Sequence, residues 1–154
     1  MSHDGSHRNG ASPRKRMFSL IWPGALAAQA VYCAARLGIA DHLSDGVNRA
    51  DCLATVTKTH PVALRRLLRA LCSLEILSEG EGGCFHLTDL GETLRTGDSS
   101  GVQPWAILLG APFIWRPWGR LLETIQTGEP AFDRIFGRPF SELKSLSPED
   151  AEVY

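Results

Sequence analysis

Several groups of side chains in this sequence have the types and spacing to do chemistry. Arg65, Arg66 and Arg69 share one face of a segment with helical periodicity. In a helix-turn-helix protein such arginines reach phosphates and guanines in the major groove. Trp105, Leu108, Leu109, Phe113, Ile114, Trp115 and Trp118 form an aromatic and apolar group. Such a group could line a pocket for a flat aromatic molecule, or it could be plain core between two helices. Cys33, Cys52, Cys72 and Cys84 form no C-x-x-C pair, and no His stands at metal-ligand spacing beside one. They are expected to be small buried hydrophobes in a reducing compartment, with neither a metal site nor a disulfide. No Ser-His-Asp arrangement, paired carboxylate site or phosphate loop stands out. Asp41, Asp45 and Asp51 flank turns and caps, an ordinary place for Asp.

The arginines must be weighed against their neighbours. Over residues 49–95, Arg49, Lys58, Arg65, Arg66, Arg69 and Arg95 are matched in number by Asp51, Glu75, Glu79, Glu81, Asp89 and Glu92. A nucleic-acid surface is normally basic, because phosphate neutralisation supplies much of the affinity. The balance favours a solvated or dimer-facing surface, and no nucleic acid is expected. The whole chain agrees: its formal net charge is -1 over 154 residues, with 44% hydrophobic and 21% charged residues. That is an ordinary globular composition, long enough for one domain with a real core.

The elements that carry these residues follow from periodicity and punctuation. Residues 1–16 are Ser-, Gly-, His- and Arg-rich and are expected to be a disordered leader. Arg14, Lys15 and Arg16 before an apolar run resemble a secretory signal. Pro23 and Gly24 interrupt that run, which then continues into a helix, so a cytoplasmic protein is expected. No unbroken run reaches the roughly 20 apolar residues of a membrane span. A helix is predicted from near Pro23 to Leu37, stopping at Gly38. Only Gln29, Tyr32 and Arg36 on it are polar, and they share a narrow face. A helix so apolar must be walled on more than one side, and its alanines admit close approach. A twin of this chain would supply the second wall. A central core helix in a monomer is the alternative.

A turn or short helix follows at Ile39–Leu43, then a short helix near Arg49–Thr55. Thr59 or His60 is expected to cap a helix opened by Pro61, with Leu64, Leu67, Leu68, Leu71 and Leu74 as its apolar stripe. Ile76–Ser78 and Cys84–Leu87 around Gly80, Gly82 and Gly83 predict a β-hairpin. Thr88 should cap a helix through Leu94. Helices are then expected at Val102–Gly110 and at about Phe113–Thr127, ending at Gly128. Shorter helical pieces follow near Phe132–Phe136 and Phe140–Leu146, and Ser147-Pro148-Glu149-Asp150 has the form of a helix start. The order is that of a mainly α-helical winged helix, a helix-turn-helix variant with a two-stranded β-wing and C-terminal helices.

Ala34-Ala35-Arg36-Leu37-Gly38-Ile39-Ala40-Asp41-His42-Leu43 resembles the opening helix of the dimeric S-adenosylmethionine-dependent O-methyltransferases. His60-Pro61 with Leu64 to Leu71 is similar to their winged-helix core, and Phe85 to Gly91 to their wing and following helix. Trp118 to Leu121, Thr127 to Phe132 and Phe136-Gly137 are similar to the segment that leads to their catalytic half. The order and spacing are nearest to the bacterial polyketide-tailoring group, with the plant phenolic enzymes next.

This resemblance implies a winged-helix dimerisation domain at residues 17–100 and a helical linker at 101–154, leading to a catalytic domain that lies beyond this sequence. It implies a homodimer, or a heterodimer with a full-length methyltransferase, and a small aromatic substrate partly enclosed by this domain. Trp22, Leu26, Ala30 and Ala34 would face the twin, and Leu109, Phe113 and Ile114 the substrate. The family's S-adenosylmethionine and catalytic base belong to the other half: a deprotonated substrate hydroxyl attacks the sulfonium methyl there. None of His42, His60 or His86 matches that base, so this chain is expected to hold no cofactor and to be inactive alone. A winged-helix transcription regulator and a truncated, non-catalytic partner of a full-length methyltransferase are the alternatives.

Overall fold

The computed structural model describes residues 12–21, 24–137 and 139–142. The helix start expected at Ser147 lies outside these. The chain folds as α1 (Pro13–Ile21), α2 (Gly24–Arg36), α3 (Ile39–Ser44), α4 (Ala50–Val56), α5 (Pro61–Ser73), β1 (Leu77–Glu79), β2 (Phe85–Leu87) and α6 (Asp89–Glu92). Then come α7 (Val102–Gly110), α8 (Pro112–Trp118), α9 (Leu121–Thr127) and α10 (Ala131–Phe136). The winged-helix order read from the sequence is the observed one.

Local signals explain most boundaries. Gly38 turns the chain between α2 and α3 at φ +59°, a left-handed conformation that costs glycine nothing. Pro61 occupies the first turn of α5, where its missing N–H is no loss, and His60 Nδ1 accepts a long bond from Ala63 N–H at 3.5 Å. Leu64, Leu68 and Leu71 of the predicted stripe are buried, with Leu67 and Leu74 half-buried against them. Together with Ile39, Leu53, Ile76, Leu77, Phe85 and Leu94 they form the core. Each large side chain buried this way contributes about 1.5–3 kcal/mol.

The wing is an antiparallel pair with Leu77 opposite Leu87, Ser78 opposite His86 and Glu79 opposite Phe85. Gly82 and Gly83 adopt positive φ in the turn. A further bridge, Arg49 to Cys84, and a bond from Phe85 N–H to Asn48 O at 2.8 Å extend the sheet toward α4. Thr88 ties the wing to α6. Its Oγ1 accepts Gly91 N–H at 3.2 Å and lies 2.7 Å from Glu75 O and 2.9 Å from Ile76 O, to one of which it donates. Thr88→Ala is expected to destabilise the chain by about 1 kcal/mol, with Thr88→Ser retaining most of the stability. A urea midpoint unchanged by Thr88→Ala would show that the cap contributes nothing.

Two expectations need correction. Within the supposed leader of residues 1–16, helix already begins at Pro13. The sequence also predicts one helix over Phe113–Thr127, whereas the chain forms α8 and α9 with a break at Gly119 and Arg120. Pro117 has no N–H for the helix ladder, and Gly119 is a poor helix former. Arg120 leaves the helical region at φ -107°, ψ 14°.

One stretch, Pro13–Arg36, is long and apolar enough to cross a membrane by length and composition. Among its described residues only Ala34 and Ala35, near its end, are buried.

Candidate substrate cleft and interaction surface

The apolar helix α2 meets α7 through its polar face. Gln29 Nε2 donates to Gly110 O at 2.9 Å, and the Tyr32 ring lies against Gly110. A Cβ added at Gly110 would stand 2.2 Å from Tyr32 Cβ, so only glycine admits this approach. The next carbonyl back, Leu109 O, accepts the Trp115 indole N–H at 2.9 Å. The last carbonyls of a helix have no partner within it. Here α2 and α8 satisfy two of them and so fix the α7–α8 corner. A second tie holds the start of α7: Asp41 accepts Thr96 N–H at 2.9 Å and its hydroxyl at 2.8 Å, and Gln103 Nε2 donates to Thr96 Oγ1 at 2.9 Å. Asp41 is therefore a long-range anchor as well as a helix-start residue.

This corner opens a cleft of about 430 Å³, lined by Gly24, Ala25, Ala28, Leu109, Ile114, Trp115 and Trp118. The lining is almost wholly apolar. The Trp115 indole N–H on the lining is already bonded. Such a surface holds a flat apolar ligand by burial and stacking.

The residues singled out for substrate divide. Leu109 and Ile114 line the cleft. Phe113 is fully buried in the chain's own packing and is not on the lining. Trp115, Trp118, Gly24, Ala25 and Ala28 complete the lining, and the apolar group around Trp115 was the sequence signal for the first two.

The residues singled out for the twin divide as well. Leu26 is 51% exposed. Ala30 is half-buried against the core, and Ala34 is 3% exposed inside it. Trp22 lies outside the described residues. The helix α1 buries nothing: Met17, Phe18, Leu20 and Ile21 are all exposed.

The remaining candidates carry no reactive geometry. Arg65, Arg66 and Arg69 are exposed on α5, and Arg69 pairs with Glu79 of the wing at 3.4 Å. Burial raises the Cys33 thiol above its usual range. Burial also raises Cys72, aided by the charge of Glu79 and opposed by that of Arg69. Both thiols therefore stay protonated and weakly nucleophilic. No group of metal-ligating side chains occurs among the described residues. Gly82 and Gly83 sit in a short 3-10 turn between two strands. A loop for S-adenosylmethionine would instead follow a buried strand and open a helix. Gly82 and Gly83 do not form such a loop.

Comparison with known proteins agrees with this architecture. The phenazine O-methyltransferase PhzM of Lysobacter antibioticus is 34% identical over 149 residues, covering 97% of this chain and 43% of the relative. The structure of a demethyl-riboflavin dimethyltransferase, RosA from Streptomyces davawensis, superposes with a TM-score of 0.81 at 27% identity. It covers 93% of this chain and 43% of that protein. The O-methyltransferase NcsB1 from neocarzinostatin biosynthesis, solved with S-adenosylmethionine and 2-hydroxy-5-methyl naphthoic acid, gives a TM-score of 0.66 at 31% identity. That match covers 75% of this chain and 36% of NcsB1. The chain thus spans less than half the length of the relatives it matches. Residues 21–97 match the O-methyltransferase dimerisation domain, and the chain belongs to that family.

Proposed function

We propose that this chain self-associates as a homodimer through α1 and the first half of α2, and that its α2–α7–α8 cleft forms part of the wall around a small aromatic substrate. The carrying observation is the apolar surface with no wall of its own: Phe18 is 56% exposed, Leu20 76% and Leu26 51%. Several large apolar side chains left exposed on neighbouring segments are what an interaction site presents. A second copy offers the same surface, and a two-fold interface is self-complementary. The naphthoic acid held by NcsB1 supports the substrate class, since its flat bicyclic ring suits an apolar cleft.

Size-exclusion chromatography with light scattering on the 154-residue chain tests the proposal. The expected mass is that of a dimer, and Leu20→Asp with Leu26→Asp should convert it to a folded monomer. A wild-type chain that is monomeric at tens of micromolar would sink the reading.

A winged-helix DNA-binding role is a weaker second reading, supported by exposed Arg65 and Arg66 and opposed by the Arg69–Glu79 pair. It predicts a salt-dependent shift of duplex DNA.

A further inference from the structure

We propose that the pocket between α8, the α8–α9 corner and α10, lined by Arg116, Arg120 and Arg134, is a binding site for a multivalent oxyanion of the phosphate type. It lies on the opposite side of α8 from the aromatic cleft: Trp115 and Trp118 line the cleft, and Arg116 lines this pocket. Its volume is about 260 Å³, and Ala131 and Ile135 complete the wall.

The electrostatics favour an anion. Three guanidiniums line the pocket against one carboxylate, Glu123. Glu123 accepts Arg120 at 2.6 Å and Arg134 at 3.5 Å, so both cations are held at one edge. Glu129 reaches Arg134 only at 3.9 Å, with its own side chain 69% exposed. Arg116 is placed differently, over the Phe136 ring at 5.6 Å. The backbone around them is fastened, because Ala131 N–H donates to Thr124 Oγ1 at 3.1 Å and joins α10 to α9. Gathered guanidiniums repel one another, and a bound oxyanion relieves that repulsion. Arginine stays charged at any accessible pH and presents paired N–H donors that match phosphate geometry. A mere surface ion-pair network would instead be indifferent to added anion beyond general screening.

The test is a titration of inorganic phosphate into the full 154-residue chain at fixed ionic strength, balanced with chloride, followed by amide chemical shifts and calorimetry. The expected result is saturable binding at one site, with the largest shifts in α8–α10. Arg134→Gln should weaken it about tenfold, the loss expected for one charged hydrogen-bonding partner. Glu123→Gln should tighten it, because the competing carboxylate is gone. The double variant Arg65→Gln/Arg66→Gln on α5 should leave the affinity unchanged. Circular dichroism checks folding, and Arg116→Gln replaces Arg134→Gln if that variant is unfolded. A non-saturable response, an equal loss in the α5 variant, or weaker binding by Glu123→Gln would each overturn the proposal.

Discussion

Phe85→Ala is expected to lower the unfolding free energy by about 3–5 kcal/mol. Phe85 is 0% exposed and belongs to the same core as Leu68 and Leu71 of α5. Its backbone also holds the wing, by pairing with Glu79 and by the bond to Asn48 O. Truncation leaves a cavity that the surrounding backbone can only partly close. Against a typical total of about 5–15 kcal/mol, such a loss removes much of the stability. Urea unfolding followed by circular dichroism measures it. A change under about 1 kcal/mol would mean that the wing does not depend on the α5 core, contrary to the packing described here.

Gly110→Ala is expected to cost about 1–3 kcal/mol or more, through steric conflict and not through lost contacts. The new Cβ would meet Tyr32 Cβ at 2.2 Å, far inside contact distance. Either α7 moves off α2, breaking the Gln29 bond to Gly110 O, or Tyr32 must be displaced with its backbone. Both responses alter the cleft, because Ala25 and Ala28 come from α2 and Leu109 from α7. Since Tyr32 is the cause, the double variant Tyr32→Ala/Gly110→Ala should lose less than the sum of the two single changes. Strict additivity in that cycle would show that the close approach of α2 and α7 is not what glycine permits.

Much of the fold could be read along the chain. The bounds of α7, the turn at Gly38, the cap at Thr88 and the stop of α9 at Gly128 each arise from chemistry within a few positions. Other ends could not be read. The turn after α5 places Glu75 at φ +59°, a conformation its residue type does not announce. The break after Trp118 was hidden because Pro117 and Gly119 lie inside a run whose apolar spacing continues on both sides.

The candidate site was less legible than the fold. The apolar group around Trp115 contains four residues of the cleft lining, Leu109, Ile114, Trp115 and Trp118. Spacing alone did not separate Ile114, which lines the cleft, from its neighbour Phe113, which is fully buried. The arginines of α8–α10 carried no sequence signal, because they are scattered among ordinary surface residues and converge only when α9 and α10 fold back on α8.

What the sequence by itself determined is therefore local: where helices begin and end, which stripe of α5 is apolar, and that α2 has too little polar surface for one wall. Only the tertiary structure decided which wall each face meets. The polar face of α2 turned out to be the one packed on α7, since Gln29 and Tyr32 meet Gly110 across 81 and 78 positions. Periodicity shows that a face is apolar or polar. It cannot identify the distant carbonyl that bonds an amide or the glycine that makes room for a ring, because those partners are chosen by how the helices pack.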